Sequence, residues 1–275
     1  MAIVGKLTTK QGFERLELSI KLFAKGGYVR SVKELKLIKK ELKTTKDLAI
    51  LNSTYKVLQT TFIDEFNHIQ PKYSGYRIQL SSFFKKRVNL TMKINVVGLN
   101  NKHTDRQWAK LIKQRSDTRI ILQKLDDMLM RGHKTDLDKA IAVSYLYLSI
   151  IDGIYGKNLK DVIIWDLLSK INKIDMMKIH KMNLSDIIDY FKGMPKSKIL
   201  FDGYNANIRN AVAHSSFTFN DKKKIITYED RRKSRINKVS VDNMVDKIEK
   251  FGVLDELVLY YNQIGAVNKI INDLR

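Results

Sequence analysis

"SKILFDGYNANIRNAVAHSS", residues 197–216, is the stretch on whose reading the fold depends. Within it Arg209 and His214 are separated by four residues in a small, apolar run. Ile208 precedes the arginine, Asn210 follows it, Ala211-Val212-Ala213 fills the gap and Ser215 stands behind the histidine. Small apolar residues placed after Pro195 predict a helix with the pair in its last part. The spacing alone decides little, because an arginine and a histidine four to six residues apart arise by chance nearly once in a chain of this composition. The helical setting and the polar Asn210 carry the weight.

Outward from this stretch the C-terminal half reads as helical. "DLDKAIAVSYLYLSIIDGIYG" (136–156), with Thr135 as its cap, is followed by "LKDVIIWDLLSKI" (159–171) and "LSDIIDYFKG" (184–193). After the motif, "FTFNDKKKIITYED" (217–230) predicts two strands turning at Asn220-Asp221, then a basic run, "RRKSRINK" (231–238). A final long helix or helix pair runs from about Ser240 to the end. A bundle of four or five helices results.

The N-terminal half is expected to be mostly helical as well. Leu16, Ile20 and Phe23, then Val32, Leu35 and Ile38, predict two helices broken at Gly26-Gly27. A third helix ends at Pro71, and residues 104–131 predict a long basic amphipathic helix. Between them Val88, Leu90, Met92, Ile94 and Val96 occupy every second position, a strand period, so a small β-hairpin with "YRIQLSSFF" is expected. There Tyr73, Tyr76, Phe83 and Phe84 interleave with Arg77, Lys85, Lys86 and Arg87. Such a patch suits either base stacking with phosphate neutralisation or a half-buried hairpin with a solvated outer face. A boundary near Gly132 divides the chain into residues 1–134 and 135–275. The fold class is mainly α.

Charge bears on partners. The chain carries 51 Lys+Arg against 29 Asp+Glu, a net +22. Residues 1–134 hold 28 basic against 11 acidic residues, or +17, which leaves +5 for the remainder. A field of this sign suits a polyanion: nucleic acid first, with an anionic membrane surface or an acidic protein behind it. No apolar window approaches the length of a membrane span and no signal peptide is evident at the N-terminus, so a cytoplasmic location and no membrane partner are expected. The absence of cysteine excludes disulfides, zinc–thiolate and iron–sulfur sites, and a thiol nucleophile. His68, His103, His133, His180 and His214 are dispersed without metal-ligand spacing, and Asp126-Asp127 point to different helix faces. No metal and no cofactor are expected.

The motif "RNAVAHS" in its helical setting resembles the HEPN superfamily, whose members carry an arginine, a polar residue, a few more residues and a histidine. The resemblance covers residues 135–275; residues 1–134 resemble no family. It implies a HEPN-like helical bundle and a dimeric, metal-independent endoribonuclease leaving a 2′,3′-cyclic phosphate. In that scheme His214 is the general acid–base, Arg209 stabilises the phosphorane and Asn210 orients the histidine or the phosphate. Positions i and i+5 of a continuous helix lie about 140° apart, so the two residues converge only if the helix ends between them or a second copy completes the site.

RNA would be held by Lys222, Lys223, Lys224, Arg231, Arg232, Lys233, Arg235 and Lys238, with Arg77, Lys85, Lys86 and Arg87 from the N-terminal half. The resemblance further implies a toxin or abortive-infection effector in phage defence, with an antitoxin or other regulatory protein as a further partner. One branch of that family has a modified tyrosine two residues after the histidine. Here the position is Ser216, so that route of control is not expected. The alternative is a catalytically inactive HEPN-like nucleic-acid-binding or adaptor protein.

Overall fold

A computed structural model describes residues 71–91, 117–122, 135–168, 175–230 and 235–274, with single positions at 14, 18, 124, 127, 131 and 170. The expected helices upstream of Pro71 and most of 104–131 lie outside these residues. Glu14, Leu18 and 117–122 are helical.

The elements run in the order α1 (Ser74–Thr91), α2 (Asp136–Ile150), a π-helical turn (Ile151–Tyr155), α3 (Gly156–Leu168), α4 (Met176–Lys181) and α5 (Leu184–Phe191). A 3-10 turn (Ser197–Phe201), α6 (Ala206–Ala213), β1 (Phe217–Asn220), β2 (Ile225–Asp230), β3 (Arg235–Ser240) and α7 (Val241–Leu274) complete the chain. The fold is mainly α with one small antiparallel sheet of order β1-β2-β3. None of the described helices is long and apolar enough to cross a membrane.

Helix α1 corrects the strand expected around residues 77–91. Tyr73, Arg77, Leu80, Phe83 and Phe84 are buried, a spacing of three and four that only a helix turns to one side. The alternating residues 92–97 lie outside the described residues. Phe84 stands edge-to-face against Trp165 (5.3 Å) and Tyr261 (5.5 Å), which seats α1 on α3 and α7. Tyr261 also donates its hydroxyl to the Ser81 carbonyl at 3.1 Å. A single apolar core therefore joins residues 73–84 to residues 140–261 and crosses the division expected at 134.

Helix α2 begins where Thr135 was expected to cap it. The Thr135 hydroxyl accepts from the Asp138 N–H (3.1 Å) and the Asp138 carboxylate accepts from the Thr135 N–H (3.0 Å), a reciprocal capping box. The expected hairpin is present, pairing Phe217 with Tyr228 and Asn220 with Ile225, and its turn spans residues 221–224. Its extra strand, β3, is unexpected: Arg235–Ser240 pairs antiparallel with β2 and continues the sheet out of the basic run.

The helical segment 117–122 is bound to α7 through charge. Arg119 grips the Asp255 carboxylate at 2.5 and 2.6 Å, and Asn158 donates to the same group at 2.7 Å. The adjacent Glu256 has one carboxylate oxygen buried with no hydrogen-bond partner among the described residues. Burial and then the neighbouring Asp255 push its carboxyl up to about 7, against the pull of Arg77 and Arg119. A carboxyl raised in the folded state contributes stability below the ordinary carboxylate range and loses it as pH rises through about 7. Glu256→Gln is therefore expected to stabilise the protein at pH 8, by on the order of 2 kcal/mol, with little effect at pH 5. Urea titrations at the two pH values check this; an equal change at both would remove the titrating group from the explanation.

Candidate functional site

Helix α6 is set in place before its first residue. The Tyr147 hydroxyl, rooted in the core, donates to the Gly203 carbonyl (3.1 Å) and accepts from the Asn205 N–H (2.8 Å). Gly203 lies so close to α7 that a Cβ there would come within 3.0 Å of the Lys247 carbonyl oxygen and 3.1 Å of the Phe251 ring. Asn205 then caps the helix, its side-chain oxygen accepting from the N–H groups of Asn207 (3.0 Å) and Ile208 (3.1 Å). Ile208, Ala211 and Val212 face the core, which leaves Asn210, Ala213 and His214 exposed and Arg209 half-exposed.

The helix ends at Ala213, between the arginine and the histidine. The Ser216 N–H bonds the Ala211 carbonyl at 2.8 Å and the Ser215 N–H bonds the Val212 carbonyl at 3.0 Å, the paired bonds of a Schellman cap. Ser215 takes the left-handed conformation, φ +50°, where glycine is usual. His214 is the capping residue at φ −99°, ψ 9°, its N–H still bonding the Asn210 carbonyl at 3.0 Å, so it stands at the very end of the helix. Its ring makes no hydrogen bond among the described residues.

Arg209 is held by a residue that the sequence did not single out. Its Nε and Nη2 donate to Asp152 Oδ1 (3.1 and 3.0 Å), and Nη2 also reaches Oδ2 (3.0 Å). The pair is exposed, with 34% of the arginine side chain and 46% of the aspartate open to solvent. Asn210 accepts from Nη1 at 3.2 Å, so it orients the arginine, where the histidine or the phosphate was the expected object. Nη1 carries two N–H groups and Asn210 takes one, leaving the other for a further acceptor.

Asp152 comes from the π-helical turn between α2 and α3, 57 residues away. Such turns concentrate at functional sites. A lone acid inside the apolar run "SIIDGIYG" was its only mark in the sequence.

The expected RNA-binding residues differ in their surroundings. Lys222 and Lys223 at the β1–β2 turn, Lys238 on β3, and Lys85 and Lys86 on α1 are exposed. Lys224 is paired with Asp136 and Asp221. Arg77 and Arg87 are withdrawn from that role. Arg77 is 2% exposed. Arg87 lies 3.5 Å over the Phe83 ring, donates to the Phe83 carbonyl (2.9 Å) and meets Asp166 at 3.3 Å. Both belong to the helical stripe that α1 buries, and the aromatics Tyr73, Phe83 and Phe84 are core with them. Arg231, Arg232 and Lys233 lie outside the described residues. Arg235 opens β3.

Comparison with protein-family models, curated proteins and solved structures returns no match.

Proposed function

We propose that the protein is a metal-independent endoribonuclease of HEPN type, cytoplasmic and acting as a homodimer, with a toxin or abortive-infection role. The observation that carries this reading is the guanidinium of Arg209, fixed by Asp152 and Asn210 at the surface, on a helix that stops one residue short of His214. A planar fork held this way presents a donor to a phosphate before substrate arrives. His214, exposed and free of ring hydrogen bonds among the described residues, is of the one residue type whose ordinary pKa suits proton transfer both ways near neutrality.

In this scheme the histidine of one protomer takes the proton from a ribose 2′-hydroxyl, whose oxygen attacks the adjacent phosphorus. The histidine of the second copy returns a proton to the departing 5′-oxygen. The products are a 2′,3′-cyclic phosphate and a 5′-hydroxyl. Arg209 meets the charge that grows on the equatorial phosphoryl oxygens. Support for the second copy comes from Leu137 and Ile141, apolar residues exposed four apart on α2, the helix that also packs on α6. A self-complementary contact through that stripe would bring the two motifs alongside one another. Lys222, Lys223 and Lys238 supply cations for the RNA backbone.

One feature favours the alternative, an inactive nucleic-acid-binding or adaptor protein: the Arg209 fork already has a carboxylate partner. Labelled single-stranded RNA, incubated with the protein with and without EDTA, separates the two. The enzyme reading expects EDTA-resistant cleavage to a cyclic phosphate, reduced at least 100-fold by His214→Ala. Tight, salt-sensitive binding with no cleavage would establish the adaptor instead.

A further inference from the structure

Tyr145 is an exposed aromatic residue fixed from two sides. Its hydroxyl lies 3.1 Å from the Ser215 Oγ, and its ring stands edge-to-face with Phe217 at 6.2 Å and 71°. Phe217 in turn packs on the buried Tyr228 at 6.1 Å. A chain of three rings thus runs from the core to the surface and ends beside the motif. Tyr145 remains 40% exposed at its outer end.

Ser215 adds an independent observation. Its left-handed backbone would cost glycine nothing, and a serine there carries strain. What serine keeps and glycine would lose is the hydroxyl that holds Tyr145. Ser215 directly follows His214.

We infer that Tyr145, backed by Phe217, is a stacking platform for an unpaired nucleobase next to the phosphate held at Arg209 and His214. A rigid ring loses little freedom on binding, and every base has a face to stack, so the platform selects single-stranded over paired substrate without reading sequence. The exposed Lys222 and Lys223 stand past the far end of β1, roughly 10 Å beyond Phe217, where the backbone of a strand leaving the platform would meet positive charge. This inference rests on the reading of the motif as an RNA site. The exposed Leu137 and Ile141 belong to the aliphatic part of the stripe. Tyr145 differs from them in having both its hydroxyl and its ring engaged by β1 and the loop that follows His214.

The test is a binding measurement in the His214→Ala background, where cleavage does not interfere. Fluorescence anisotropy compares a short oligoadenylate with an abasic ribose-phosphate strand of the same length and charge. The His214→Ala protein is expected to prefer the oligoadenylate by about tenfold, a preference kept by added Tyr145→Phe and erased by added Tyr145→Leu. Equal affinity for the two strands, or discrimination that survives Tyr145→Leu, would overturn the platform. If Tyr145→Leu leaves discrimination intact and shifts only the sedimentation of the protein, the residue is a contact between copies. Because the readout needs no turnover, an inert protein that still discriminates upholds the platform while the nuclease reading falls.

Discussion

On the proposed nuclease reading, Arg209→Lys is expected to lower RNA cleavage about as far as Arg209→Ala does, on the order of 10²- to 10³-fold in kcat/KM. Lysine keeps the charge but not the plane. The arginine makes three contacts with Asp152 and one with Asn210. A lysine ammonium has three donors on one atom and no fixed fork, so it cannot hold both partners and still point a hydrogen at the phosphate. The pair is solvent-exposed, and its loss should change stability by less than about 1 kcal/mol. Single-turnover cleavage of a labelled strand, with thermal melts of both variants, separates lost catalysis from lost folding. Activity of the lysine variant within threefold of the parent would mean that the position supplies charge alone, and the preset fork would have no part in the reaction.

Phe84→Ala is expected to cost about 3–5 kcal/mol of folding stability. The ring is fully buried and touches Phe83, Trp165 and Tyr261, so truncation opens a cavity where α1, α3 and α7 meet. Guanidinium unfolding followed by circular dichroism measures the effect. A loss below about 1 kcal/mol would show that α1 can leave the core with the remainder intact, and the division expected at 134 would regain its meaning.

Much of the C-terminal half could be read in advance because its signals are local. Thr135 with Asp138 three residues on, the alternation of "FTFN" and "IITY" around a polar turn, and the small apolar run after Asn205 each act within a few residues. The sequence around helix α1 suggests a strand because its buried stripe includes Arg77, a charge at a core position, and because Val88 and Leu90 near its end open an alternating apolar run. Strand β3 has few apolar residues of its own, and its conformation comes from pairing with β2. Within the candidate site, Arg209, Asn210 and His214 were legible as a motif. Their surroundings were not, since Asp152 reaches Arg209 across 57 residues and Tyr145 reaches Ser215 across 70, and no spacing rule connects them.

The bare α-carbon of Gly203, pressed on the α7 backbone, bears on how related sequences should be compared. Arg209, Asn210 and His214 give the motif its spelling, while Gly203, six residues upstream, gives it its address. A methyl group at Gly203 would come within 3.0 Å of the Lys247 carbonyl oxygen, so α7 or the start of α6 would have to give by a few tenths of an ångström. Sequences that share the motif are therefore best compared at this glycine as well, where the placement of α6 against α7 is set.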